Sequence, residues 1–204
     1  MKTIRSRKNW KFNPQDINIW DNFFTDECLK ILRHRVLYGK HVDYQYDGYT
    51  AVDYFKNEDY LSELIAKELC SKIKLPPFQR AWSFVYNHKT KGVKLHCDPS
   101  LINLNVWVST DKAIKNKSKN GLNIYKIKPP QHWTRADWSG DRNRINSLEY
   151  IKSKKIKPIK VPYKSNRAIF FDGAYFHNSN GVSMKKGFEN KRISYTMLFG
   201  SQLE

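Results

Sequence analysis

Lys94–Ser109 reads KLHCDPSLINLNVWVS, and the rest of the chain is best read outward from it. LINLNVWVS is a strand-like run of apolar and β-branched residues. The His96-Cys97-Asp98 triplet stands just before it. In extended chain, residues i and i+2 project from the same face, so the His96 imidazole and the Asp98 carboxylate converge on one point.

Similar runs follow on both sides. FQRAWSFVYN, GLNIYKI, RAIFF and RISYTMLFG are short and rich in aromatic and β-branched residues, and loops of Asn, Gly, Lys and Pro separate them. Residues 1–77 read instead as a helical part. Asp26 is a candidate cap for ECLKILRHRVLY, with Leu29, Leu32, Val36 and Leu37 at helical spacing. A second helix is expected over about Glu58 to Ile73, stopped by Pro76 and Pro77. Lys128 to Pro158 is a long polar insert holding Trp133 and Trp138, with a short helix expected around Ile145 to Ser153. Helices first and then many strands predict a mainly β protein with N-terminal helices, a sandwich or jelly roll, in one domain over residues 1–204.

Composition narrows the function classes. Hydrophobic residues make up 40% of the 204, which suits a globular core, and aromatics reach 14%, which favours strands and lined pockets. No apolar run is long enough for a membrane helix, and the basic opening MKTIRSRKNWKFNPQD lacks the apolar stretch of a secretory signal. Cys28, Cys70 and Cys97 are odd in number and form no CxxC, which speaks against a disulfide framework or a thiolate zinc site and fits a reducing cytoplasm. Lys and Arg number 37 against 19 Asp and Glu, a net charge of +18 that would attract polyanions. The lysines form few dense runs, so nucleic-acid contact is possible but not favoured.

A third candidate ligand is His177, in RAIFFDGAYFHNSNG. Two histidines and one carboxylate on one face of an octahedron leave three positions open, the arrangement of non-haem iron(II) oxygenases. The other histidines do not compete. His34 lies between arginines on a helix, and His41, His88 and His132 lie in polar loops. Phe170, Phe171, Tyr175 and Phe176 flank His177 and could form a dry wall beside it. Farther on, Arg192 and Ser194 share a strand face. A guanidinium grips a carboxylate with two parallel hydrogen bonds, and a neighbouring hydroxyl can add a third. Arg167 is the alternative anchor.

The ordered set of HxD, a long gap, His and then Arg-x-Ser resembles the 2-oxoglutarate/iron(II)-dependent oxygenase superfamily. The likeness runs from about Phe78 to Gly200 and is carried by YNHKTKGVKLHCD, LNVWVS, NGLNIY, VPYKSNRAIFFDGAYFHNSNGV and GFENKRISYTMLFG. It is similar to a poorly characterised bacterial and phage branch with a prolyl 4-hydroxylase-like layout. The resemblance implies a double-stranded β-helix, a jelly-roll variant. It implies Fe(II) on His96, Asp98 and His177, and 2-oxoglutarate on Arg192 and Ser194. Tyr86 resembles a position where such enzymes set a tyrosine hydroxyl near the cosubstrate. Asn105 and Trp107, on the strand after the HxD, are further candidates for the pocket wall. SMKKGFEN, between His177 and Arg192, would be a longer loop than in many members. The implied reaction is hydroxylation with dioxygen, 2-oxoglutarate going to succinate.

The primary substrate is not written in these motifs. A peptide or small molecule is expected ahead of nucleic acid. The pocket rim is expected from a loop at Asp43 to Tyr54 and from the insert, with Trp133, Arg135, Trp138, Arg142 and Arg144. Two other readings stay open: a basic jelly-roll module that binds nucleic acid with structural histidines, and a cupin-type metal enzyme. Both leave Arg192 and Ser194 without a role.

Overall fold

The computed structural model describes residues 1–40, 42–53, 59–139 and 144–202. After the short strand β1 (Asn18–Trp20) comes helix α1 (Asp26–Tyr38). Its cap is Thr25, whose hydroxyl accepts from the Cys28 N–H at 3.2 Å. Asp26, the expected cap, sits one residue inside, where its charge complements the helix N-terminus. Cys28, Leu32 and Val36, spaced by four, face the core. Helix α2 (Tyr60–Cys70) is shorter than the expected span. Asp59 caps it through the Ser62 N–H at 3.2 Å and is itself held by Arg35 at 2.6 Å. Glu58, the expected start, lies outside the described residues.

Residues 1–77 are not purely helical. They also supply β1 and the hairpin β2 (Val42–Tyr46) and β3 (Tyr49–Asp53). The hairpin occupies the stretch expected to be a loop, as far as Asp53; Tyr54 lies outside the described residues. Tyr46 pairs with Tyr49 across a two-residue Asp47-Gly48 turn, and Gly48 takes φ 84°. Asp-Gly between two alternating runs is a strong hairpin signal, because such turns need positive φ and match the strand twist.

The later strands are β4 (Phe78–Tyr86), β5 (Lys89–Thr90), β6 (Ser100–Trp107), β7 (Leu122–Tyr125), β8 (Ile159–Val161), β9 (Ala168–Phe171), β10 (Phe176–Ser179), β11 (Val182–Ser183) and β12 (Arg192–Ser201). They form a seven-stranded sheet in the order β1-β9-β6-β12-β4-β3-β2, a three-stranded sheet β10-β7-β8 and a pair β11-β5. All pairings are antiparallel. Trp107, Ile169 and Phe171 of the large sheet meet Leu122, Ile124 and Val161 of the small one, so two sheets pack face to face in a jelly-roll-like fold.

Strand β12 is central. It pairs with β4 on one side and β6 on the other, and all but its last residue is buried. Ile193, Tyr195, Met197 and Phe199 face α1 and α2 in the main core, while Arg192, Ser194 and Thr196 face the small sheet. The insert between β7 and β8 carries α3 (Arg135–Ser139) and α4 (Arg144–Ser153). Trp133, Trp138 and Ile151 pack it onto Leu95, Cys97 and Phe176.

Ile65 is fully buried where α2 meets the large sheet. Ile65→Ala should lower the unfolding free energy by about 2 to 4 kcal/mol, read from urea denaturation. A loss below ~1 kcal/mol would mean that α2 is not tightly docked on the sheet.

Candidate metal centre

His96 lies in the extended segment before β6 and His177 on β10. The two residues pair as an isolated antiparallel bridge, His96 N–H to His177 O at 3.1 Å and His177 N–H to His96 O at 2.8 Å. The bridge sets the ring centroids 4.2 Å apart. Each Nδ1 meets a backbone carbonyl two residues upstream, His96 with Lys94 at 2.7 Å and His177 with Tyr175 at 2.9 Å. A carbonyl only accepts, so each Nδ1 carries the proton and each Nε2 offers a lone pair.

Asp98 is fixed by its own N–H, which donates to Gly173 O at 2.8 Å. Gly173 needs to be glycine, since a Cβ there would stand 2.5 Å from the Ser100 carbonyl oxygen. Asp98 Oδ1 lies 3.9 Å from His96 Nε2 and Oδ2 lies 3.4 Å from His177 Nε2. The donor atoms of His96, Asp98 and His177 all fall within 4.8 Å of one another, a group that could hold a metal ion. His34, His88 and His132 are exposed and belong to no such group among the described residues. His41 lies outside the described residues.

The electrostatics suit a metal. Burial, and then the neighbouring His177, hold the His96 pKa down to about 4, so its lone pair is available at neutral pH. Burial alone would raise the Asp98 carboxyl, but the neighbouring His177 and His96 rings and the Asn103 amide keep it below the usual carboxylate range.

Arg192 lines the same cleft, which holds about 350 Å³ including its open mouth. It is 1% exposed. Its Nε donates to Asn120 O at 2.9 Å, and its Nη1 is buried with no partner. The guanidinium carbon sits 4.4 Å from the Tyr86 ring centroid and 5.7 Å from that of Trp107. Asn120 takes φ 72°, and its side chain bonds to Ser183 N at 2.6 Å, to Asn116 O at 3.1 Å and to Ser183 O at 3.1 Å. That locked turn aims the carbonyl that holds Arg192. Ser194 Oγ donates to Asn105 Oδ1 at 3.3 Å, and Asn105 Nδ2 donates to Thr196 Oγ at 3.2 Å, so the wall between anchor and ligands is a polar ladder.

Several expected residues therefore come together: His96, Asp98, His177, Arg192, Ser194, Tyr86 and Asn105 all line one cleft. Others do not. Arg167 is committed to Asp21 at 2.6 and 3.1 Å and to Pro162 O at 2.8 Å. Of the four aromatics around His177, Phe171 packs on its ring at 4.9 Å, whereas Phe170 belongs to the helix-side core and Phe176 to the insert side. Trp133 and Trp138 share that insert side with Phe176, whose side chain alternates with His177, so they leave the substrate argument. Arg142 lies outside the described residues. Trp82, Phe84, Asn103, Leu122, Ser179 and Thr196 also line the cleft, beyond the residues that the motifs mark. The two-residue period extended from Asn105, Ser194, Tyr86 and His177 reaches Asn103, Thr196, Phe84 and Ser179.

Because the folded-state pKa of His96 lies below its unfolded value of about 6.5, the unfolded chain takes up a proton first as the pH falls. The metal-free protein should therefore lose stability from pH 6.5 towards pH 4, and His96→Gln should flatten that slope in thermal melts. Identical slopes in the two proteins would mean that His96 is not held neutral.

No protein-family model matches the chain, and no curated protein does. Solved structures do. HygX from Streptomyces hygroscopicus, solved with nickel and 2-oxoglutarate, aligns at TM-score 0.60 and 11% identity over 92% of this chain and 83% of its own. SnoK, a non-haem α-ketoglutarate-dependent carbocyclase from nogalamycin biosynthesis, aligns at 0.55 and 11% over 89% and 78%. SnoN, an epimerase of the same dependence and biosynthesis, aligns at 0.53 and 10% over 85% and 72%. At these identities the likeness establishes the shared fold.

Proposed function

We propose that this chain is an iron(II)- and 2-oxoglutarate-dependent oxygenase that hydroxylates its substrate. In this reading residues 1–204 act as one domain, a double-stranded β-helix with a prolyl 4-hydroxylase-like layout. The observation that carries the proposal is the pairing, in one cleft, of a His-Asp-His donor set with a buried arginine whose Nη1 lacks a partner. A buried donor left unsatisfied costs roughly 1 to 3 kcal/mol, and a carboxylate is the ligand that best offsets it. Two imidazoles and a carboxylate suit iron(II) and leave positions for a chelating 2-oxo acid and dioxygen. The solved likenesses include proteins holding nickel, iron and 2-oxoglutarate, which agrees with that ligand set. The free cysteines suit a reducing cytoplasm.

With dioxygen, iron and 2-oxoglutarate would supply the oxidising power, one oxygen atom entering a substrate C–H bond and the other succinate, with carbon dioxide released. The protein's own residues bind and orient. His96, Asp98 and His177 hold the metal. Arg192 receives the distal carboxylate, with Tyr86 and Trp107 beside its guanidinium and Ser194 next along the strand. Phe171 shields His177 from water. Trp82 and the polar ladder form the wall that meets the primary substrate, for which a small molecule is favoured over a peptide, since HygX and SnoN are solved with hygromycin B and nogalamycin RO respectively.

Anaerobic addition of Fe(II) and 2-oxoglutarate should give a weak visible charge-transfer band, and oxygen should then release succinate. His96→Ala, Asp98→Ala and His177→Ala should each lose metal binding in titrations with Mn(II); full retention in any one removes that residue from the ligand set. Arg192→Ala should raise the 2-oxoglutarate requirement at least about thirtyfold, equivalent to ~2 kcal/mol, with Arg192→Lys recovering part of it. An unchanged requirement would place the anchor elsewhere.

A further inference from the structure

Asn103 has no part in the ligand set or the carboxylate anchor, yet it lines the cleft and is 1% exposed. Its place on β6 is opposite Phe171 and Leu198, on the inward face it shares with Asn105. Its Nδ2 donates a hydrogen bond to Asp98 Oδ2. The orientation follows from chemistry, because the amide oxygen turned toward a carboxylate would be repelled. Its Oδ1 is consequently turned away from Asp98, buried and without a partner.

A buried amide with one end unsatisfied is a poor choice for packing alone. The position would be cheaper to fill with an apolar side chain like those of its cross-strand neighbours. What the amide achieves is on the Asp98 side. The Asp98 main chain is pinned by Gly173 O, but a carboxylate can still turn about its last torsion. Engaging Oδ2 stops that turn and leaves Oδ1 on the His96 side, 3.9 Å from Nε2.

Resting on the metal reading above, we propose that Asn103 is the positioning residue of the centre. It fixes the Asp98 carboxylate in the orientation in which it can close the three-ligand set.

The test uses Mn(II) titration and the visible spectrum of the Co(II)-loaded full chain, so that it does not depend on turnover. Asn103→Leu keeps the volume and removes the donor. It should weaken Mn(II) binding ten- to hundredfold and alter the Co(II) spectrum, while the metal-free melt shows a folded protein. Asn103→Ser, which keeps a shorter donor, should recover part of the loss. A folded Asn103→Leu that binds Mn(II) within about twofold of wild type, with an unchanged Co(II) spectrum, overturns the proposal. If Asn103→Leu does not fold, Asn103→Ser decides: several-fold weaker binding with an altered spectrum supports the role, and wild-type behaviour overturns it. Wild-type protein that takes up no Mn(II) would sink the metal reading and this inference with it. Normal uptake by wild type and variants alike sinks the inference alone.

Discussion

Two backbone hydrogen bonds between His96 and His177 hold the cleft together. They join the segment that leads into the large sheet to the edge of the small one, and they bring two imidazoles to a centroid distance of 4.2 Å. Two imidazolium cations at that separation in a buried site would repel strongly, so the geometry disfavours charge on both rings at once. The same local device sets both tautomers: a carbonyl two residues before each histidine accepts from Nδ1. The backbone alone thus holds two imidazoles and a carboxylate side by side. Pre-organisation of this kind lowers the ordering cost of binding.

Strand β12 links that site to the stability of the whole protein. Alternation gives it an apolar face toward α1 and α2 and a polar face toward the small sheet. The polar face is burdened, since Arg192, Ser194 and Thr196 are all nearly fully buried. Hydrogen bonds to Asn120 and along the Asn105 ladder offset part of the desolvation, and the helices pin the strand from behind. Loosening α2 would therefore disturb the arginine from the opposite face of the sheet, without touching the cleft.

Much of this was legible because it rests on a period of two. His96 with Asp98, and Arg192 with Ser194, share faces whatever the tertiary context, and their order along the chain supplied the rest. The same period, carried further, reaches Asn103 and Thr196. The Asp47-Gly48 turn is equally local: alternation on either side of Asp-Gly marks a hairpin where DYQYDGYTAVDY has the composition of a loop. Other features had no local signal. β5 and β11 are two residues each and exist only through each other. The role of Asn120 depends on a left-handed backbone and on contacts with Ser183, far along the chain. The side of the small sheet that Trp133 and Trp138 cover is set by their packing against Phe176, a contact with no local signal.

The net charge of +18 has its place in this picture outside the cleft. Apart from the histidines, the charged side chains lining the cavity are Asp98 and Arg192, one of each sign. Several of the few acids are already paired at the surface, Asp21 with Arg167 and Lys164, Asp16 with Lys126, and Glu189 with Arg33. The excess is therefore lysine and arginine spread over the exterior, which says little about what the site recognises. It does bear on arrival. A dianionic cosubstrate such as the proposed 2-oxoglutarate would be drawn towards a strongly positive molecule over roughly a Debye length, about 8 Å at physiological salt. Once inside, it would meet a single buried guanidinium with a nitrogen to spare. Attraction would thus be supplied by the surface as a whole and selection by Arg192, two tasks that a count of charges alone could not have separated.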